Sequence, residues 1–259
     1  MDILTSIADG ILTIEFNRPE RKNALTAAMY QTVADAINEA ETDSTIRAIL
    51  LVGKPEIFTA GNDLPDFLQN SKPVEGVPAE ARPVFQFMRA LSGSTKPVVA
   101  AVSGAAVGIG TTMLMHCDLV YAADNAKFSL PFSQLGLCPE FASSLLLPKL
   151  AGYPRAAEKL LLGEAFLAQE ALEMGLVSKV MPLEELRPFA ERQAAKLVAL
   201  PAASIRATKA LMKRARTPAI NDAMAAENAL FAAMLLAPEA TEAMTAFMEK
   251  RKPDFSKFG

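Results

Sequence analysis

Ser103-Gly104-Ala105-Ala106-Val107-Gly108-Ile109-Gly110 follows directly on the apolar run Pro97 to Val102, and this passage decides the fold. A buried strand that runs through a glycine-rich turn into a helix is the pattern of an α/β protein. A second passage of the same kind stands upstream: Phe58-Thr59-Ala60-Gly61-Asn62-Asp63, after the run Ile46 to Val52. Glycines let the backbone turn and approach a ligand closely. A strand entering such a turn and then a helix leaves backbone N–H groups free. Two of these turns side by side can clamp one developing oxyanion between two N–H donors. That points to chemistry on an activated carbonyl, such as a thioester.

Working outward, Ile11 to Phe16 alternates as a strand, and Asn17 to Asn23 is a polar turn containing Pro19. Thr26 is placed to cap a helix running to about Thr42, with Met29, Val33, Ile37 and Ala40 on its apolar face. Leu64 to Arg82 is polar, carries Pro65, Pro73 and Pro78, and is expected to be mobile. A short helix over Val84 to Leu91 follows, and Lys96-Pro97 opens the next strand. Gly110 to His116 reads as a helix, Leu119 to Ala122 as a strand, and Phe128 to Phe132 as extended chain. Phe141 to Leu150, Arg155 to Gly163 and Ala168 to Met174 read as helices, and Val177 to Val180 as a last strand. From Leu183 onward the pattern is purely helical, punctuated by Pro201, Pro218 and Pro238. Three rounds of strand, strand and helix followed by this tail predict an α/β core over residues 1–195 and a helical C-terminal region over residues 196–259.

The bulk numbers exclude several classes. Of 259 residues, 51% are hydrophobic, enough for a sizeable core. A net charge of −3 argues against general nucleic-acid binding, though not against a local basic patch for a phosphorylated small molecule. Cys117 and Cys138 give neither a disulfide framework nor a zinc spacing. The start Met1-Asp2-Ile3 lacks the basic residues of a signal peptide, the end Lys257-Phe258-Gly259 is not a peroxisomal tripeptide, and no clean apolar run is long enough for a bilayer. Cytoplasmic residence is the default expectation.

At the two turns the chain resembles the crotonase superfamily, also called the enoyl-CoA hydratase/isomerase family. The likeness spans nearly the whole length, from Asn17-Arg18-Pro19-Glu20-Arg21-Lys22-Asn23-Ala24-Leu25 through Ala60 to Leu64 and Ala101 to Gly110. It continues in Cys117-Asp118-Leu119-Val120-Tyr121-Ala122 and Gly175-Leu176-Val177, and ends in Phe247-Met248-Glu249-Lys250-Arg251-Lys252. The resemblance implies a spiral of ββα units with two roughly perpendicular sheets and a helical trimerisation region, assembled as a homotrimer or dimer of trimers. It implies an acyl-CoA thioester substrate, with coenzyme A as part of that substrate, and no separate cofactor or metal. It implies an oxyanion hole made by the backbone amides of Asn62 and Ile109, the latter standing where the family often has a glycine. Lys22, Ala24, Ala60, Gly61, Asp63, Leu64, Gly108 and Phe132 fall on substrate-binding positions. Phe247 and Lys250 match positions that contact coenzyme A from a neighbouring subunit.

Hydratases of the family carry two glutamates that hold the attacking water. Their positions fall on Thr112 and Phe132 here, so that water loses both partners. Glu140, in Pro131 to Glu140, lies where the similar Δ3,Δ2-enoyl-CoA isomerases keep a single acid/base. One carboxylate above one face of a dienolate can take the C2 proton and return it at C4. Burial among Phe132, Leu137 and Phe141 is expected to raise its pKa toward that of the intermediate. Plainer roles compete. Glu140 can be a carboxylate at a helix N-terminus, Asp63 a turn cap, His116 a structural side chain, and Lys250-Arg251-Lys252 a solvated tail. Two other functions stay open: another crotonase activity, such as a hydratase or thioesterase using other polar groups, and a non-catalytic acyl-CoA binder.

Overall fold

The computed structural model describes residues 1–70, 76 and 78–258. Ten strands and eleven helices occur among them. In chain order they are β1 (Ile3–Ala8), β2 (Ile11–Phe16), α1 (Ala27–Thr42), β3 (Ala48–Val52), β4 (Ile57–Thr59), α2 (Leu64–Asn70), α3 (Pro83–Gly93), β5 (Val98–Val102), β6 (Ala105–Val107) and α4 (Ile109–Thr112). There follow β7 (Leu119–Ala123), β8 (Lys127–Ser129), α5 (Ser143–Ala151), α6 (Tyr153–Ala157), β9 (Phe166–Leu167), α7 (Ala168–Glu173), β10 (Lys179–Met181), α8 (Leu183–Ala199), α9 (Ala202–Arg214), α10 (Thr217–Leu235) and α11 (Pro238–Met248).

The strands divide between two sheets, ordered β1-β2-β3-β5-β7-β10 and β4-β6-β8-β9. Each of β3, β5 and β7 lies in the first sheet and is followed by β4, β6 and β8 in the second, and then by helix. This is the expected repeat of strand, strand and helix. Pairing is parallel except at β1–β2 and β8–β9.

β3 and β5 are apolar at every position because both faces of their sheet are covered. Ile49, Leu51, Val98, Ala100 and Val102 enter the main core with α1 and α3. Ala48, Leu50, Val52, Val99 and Ala101 face the opposite way, against Leu186, Ala190 and Ala194 of α8. Helix α1 starts where Thr26 Oγ1 accepts the Met29 amide, and it buries Met29, Tyr30, Val33, Ala34, Ile37 and Ala40.

Several boundaries differ from expectation. β1, β4, β6 and β9 lie where the sequence pattern predicts no strand. Leu64–Asn70 is helical rather than loop, Ala79–Ala81 forms a short 3-10 turn, and residues 71–75 and 77 of that expected mobile segment lie outside the described residues. Phe141 and Ala142 are not part of α5: both are left-handed, with φ of 57° and 58°. Helix α8 runs through residue 195 to Ala199, and α9 starts at Ala202 after Pro201. Among the described residues no single helix is long and apolar enough to cross a membrane.

Candidate active site

The two glycine turns meet. Segment 22–25 runs beside segment 60–63: Ala60 N–H donates to Lys22 O (3.0 Å), Leu25 N–H to Gly61 O (2.8 Å) and Asp63 N–H to Leu25 O (2.9 Å). Buried Asn23 staples this pair to β4, its Nδ2 donating to the carbonyls of Ile57 and Phe58. Asn62 is bridged in parallel to Leu25, which takes its bonds from the residues on either side of Asn62. In a parallel ladder the intervening N–H points to the opposite edge. On that edge lies the end of β6. A β-carbon on Gly61 would sit 2.7 Å from Val107 O, so only glycine permits the two turns to close up.

Gly108 shapes the other donor. Its φ of 54° and ψ of −118° is a conformation that a side chain resists. Its carbonyl accepts from the amides of Thr111 and Thr112, which starts α4 with Ile109 as its first residue. The Ile109 N–H therefore has no partner within the helix. Among the described residues, neither it nor the Asn62 N–H donates a hydrogen bond. The Asn62 side chain is occupied elsewhere, its Oδ1 accepting from Tyr30 OH at 2.6 Å.

Glu140 is 7% exposed. Its Oε1 accepts from Thr112 Oγ1 at 2.6 Å, while its Oε2 is buried with no hydrogen-bond partner. Burial pushes the carboxyl up to about 8; the Thr112 hydroxyl opposes this and the nearby charge of Glu227 adds to it. Thr112 lies one turn beyond Ile109 on the same helix, so the carboxyl is tied to the element that presents the second amide. In the sequence Thr112 stands only as a missing glutamate; no local pattern shows its bond to Glu140, which needs α4 and the 140 loop to meet.

The plainer reading of Glu140 as a helix cap does not describe this geometry. The amides opening α5 are taken by Glu227, from α10: Ala142 N–H donates to its Oε2 (2.6 Å) and Ser144 N–H to its Oε1 (2.9 Å). His116 is structural, as expected. Its Nε2 meets Phe141 O at 2.8 Å, and burial pushes its pKa down to about 3, so the ring is neutral and donates. Asp63 does cap: Asp66 N–H donates to its Oδ1, and its Oδ2 pairs with Arg18 at 2.8 Å.

Segments 22–25 and 60–63 thus lie together, with Gly61 close against Val107, the residue before Gly108 and Ile109. Phe132 is buried at the head of the short turn Ser133–Leu135. Phe247 and Lys250 stand apart, exposed at the far end of α11. Among the described residues, no group of three or more His, Cys, Asp or Glu side chains is arranged to hold a metal ion.

The sequence model of the enoyl-CoA hydratase/isomerase family matches residues 6–257. The chain is 34% identical over 258 residues to a 1,2-epoxyphenylacetyl-CoA isomerase from Escherichia coli, covering 98% of each chain. It is 36% identical over 252 residues to enoyl-CoA delta isomerase 2 from Rattus norvegicus, covering 97% of this chain and 64% of that protein. A crystal structure of an enoyl-CoA hydratase/isomerase from Pseudoalteromonas atlantica superposes with a TM-score of 0.93 at 39% identity, over 99% of this chain and 100% of that one. Alike in sequence and in fold along its whole length, the chain belongs to the enoyl-CoA hydratase/isomerase family.

Proposed function

We propose that the chain is a Δ3,Δ2-enoyl-CoA isomerase, with Glu140 as its one acid/base and the Asn62 and Ile109 amides as its oxyanion hole. The observation that carries this reading is the unpartnered, buried Oε2 of Glu140, on a carboxyl whose pKa is raised to about 8. A base of that strength suits a proton on the carbon α to a thioester better than an ordinary carboxylate does. The thioester oxygen takes up charge as the C2 proton leaves, and two preset N–H donors stabilise it; losing one donor costs roughly 2.7–4 kcal/mol. Glu140 then delivers its proton to C4 of the dienolate, which completes the shift of the double bond from C3 to C2.

Water addition needs a second carboxylate to hold the nucleophile. By the family resemblance its two positions fall on Thr112 and Phe132, neither of them a carboxylate; Phe132 is buried, and Thr112 spends its hydroxyl proton on Glu140. Exposed Lys22 and Lys250 suit the phosphates of coenzyme A by charge. Exposed Leu211, Met212, Leu230, Phe247 and Met248 on α9–α11 support association with further copies of the chain, read here as a trimer or a dimer of trimers. Light scattering of the purified protein tests the assembly.

Steady-state turnover of 3-enoyl-CoA, with Glu140→Gln beside it, tests the chemistry. The expected result is isomerisation faster than hydration of 2-enoyl-CoA, and loss of at least about 10²-fold in kcat in the variant. Hydration outpacing isomerisation, or a variant that turns over normally, overturns the reading. Binding of coenzyme A thioesters without turnover identifies a binder instead.

A further inference from the structure

The peptide group between Phe141 and Ala142, immediately after Glu140, is gripped at both ends by buried titratable side chains. Its carbonyl, on Phe141, accepts from His116 Nε2 at 2.8 Å, and its N–H, on Ala142, donates to Glu227 Oε2 at 2.6 Å. Both flanking residues are left-handed and neither is glycine. Two such residues in succession persist only where surrounding contacts over-determine them. Those contacts come from two distant elements: His116 from the turn that continues α4, and Glu227 from the middle of α10.

Each grip is built for one protonation state. The His116 ring stacks on Phe141, with centroids 3.9 Å apart and planes 18° apart, and sits in a site where burial keeps it neutral. A neutral ring that donates from Nε2 carries its proton there. Glu227 receives three donors, the amides of Ala142 and Ser144 and the Ser144 hydroxyl; burial raises its pKa, and these three donors oppose that by favouring the ionised form.

We propose that His116 and Glu227 are positioning residues for Glu140, clamping the Phe141–Ala142 peptide so that the carboxylate keeps its free oxygen toward the substrate. The proposal rests on Glu140 as the base. Glu227 also acts on Glu140 through its charge, which with burial opposes ionisation, while Thr112 favours it and neutral Tyr30 stands near.

The test begins with the wild-type protein. His116 is the only histidine, so one nitrogen-detected proton correlation spectrum reads it without assignment. The expected result is a single Nε2–H tautomer that does not titrate between about pH 5 and 9; an Nδ1–H tautomer, or titration near 6.5, overturns the clamp. Kinetics follow with three variants. His116→Phe keeps a ring against Phe141 and removes the donor; His116→Gln restores an N–H; Glu227→Gln removes the charge and one acceptor. His116→Phe and Glu227→Gln are expected to lower kcat about 10- to 100-fold, a loss typical of a misplaced reacting group, with KM changed less than about threefold. His116→Gln is expected to recover most of the loss. Only Glu227→Gln is expected to move the acid limb of the kcat/KM profile to lower pH. Near-normal kcat in Glu227→Gln, or equal losses in the two His116 variants, overturns the clamp. If Glu140→Gln is inactive while those results occur, the clamp alone fails; if Glu140→Gln is active, the base assignment fails with it.

Discussion

Replacing Glu140 by Gln is expected to change stability in a direction that reverses with pH. The carboxyl titrates at its ordinary 4.5 in the unfolded chain and at about 8 in the fold. Below 4.5 both states hold the proton and the group contributes no pH dependence. Between the two values the unfolded chain has released the proton while the folded protein retains it, so unfolding is favoured by about 1.4 kcal/mol for each pH unit. Above 8 both states are ionised and the accumulated loss is about 5 kcal/mol. Gln escapes this loss, but where the neutral acid has one O–H on the unpartnered Oε2 the amide has two N–H, and one further unmet buried donor costs about 1–3 kcal/mol. The variant is therefore less stable than the parent at pH 5 and more stable by about 2–4 kcal/mol at pH 9. Urea unfolding of both proteins at pH 5, 7 and 9, at one fixed protein concentration, cancels the titrating groups that do not interact with Glu140 and leaves the carboxyl with its coupled neighbour Glu227. Parallel stabilities across that range would refute the argument, since they mean that the carboxyl is not strained toward its neutral form.

Three further outcomes are expected. The kcat/KM for 3-enoyl-CoA rises with pH to a midpoint near 8, because Glu140 must be ionised to accept the C2 proton; a flat profile from pH 6 to 9 removes it from the rate-determining proton transfer. Gly108→Ala meets no atom within 4 Å, so its effect is conformational: leaving φ 54° swings the Ile109 N–H, and kcat falls about 10²- to 10³-fold, whereas unchanged kcat excludes that amide as a donor. Lys209→Met strips partly buried Asp118 of a cation 2.6 Å away, which destabilises by about 1–3 kcal/mol in denaturant unfolding; an unchanged stability contradicts the pairing.

What the sequence displays and what it conceals follow from the range of the forces involved. β3, β5 and β7 are legible because strands buried on both faces must be apolar throughout, and α1 because its cap and apolar face are local. β4 and β6 are three residues each and gain their extended shape from pairing with each other and with β8. Ala105-Ala106-Val107 carries no signal of that. The amides of Asn62 and Ile109 stand out because the glycines that free them are local too. The Thr112 bond to Glu140 spans 28 residues, and the capping of α5 by Glu227 spans more than 80. A helix normally announces its start with a nearby Ser, Thr, Asp or Asn side chain. Here that work is done from another helix, and the left-handed Phe141 and Ala142 follow no residue preference.

The same long-range contacts alter how the chain divides. By pattern, the helical tail is an appendage to an α/β core. By energetics it is not. Helix α8 covers the second face of the six-stranded sheet, so without it Leu50, Val99 and Tyr121 are left open to water. Helix α10 supplies Glu227, and without it the amides of Ala142 and Ser144 lose their acceptor and the left-handed pair loses one of its two supports. α9 supplies Lys209, which lies against Asp118 and the Lys96 carbonyl at the foot of β5. The two free N–H groups are set by sheet ends and glycines within the core, while the segment that follows Glu140 is held from the tail.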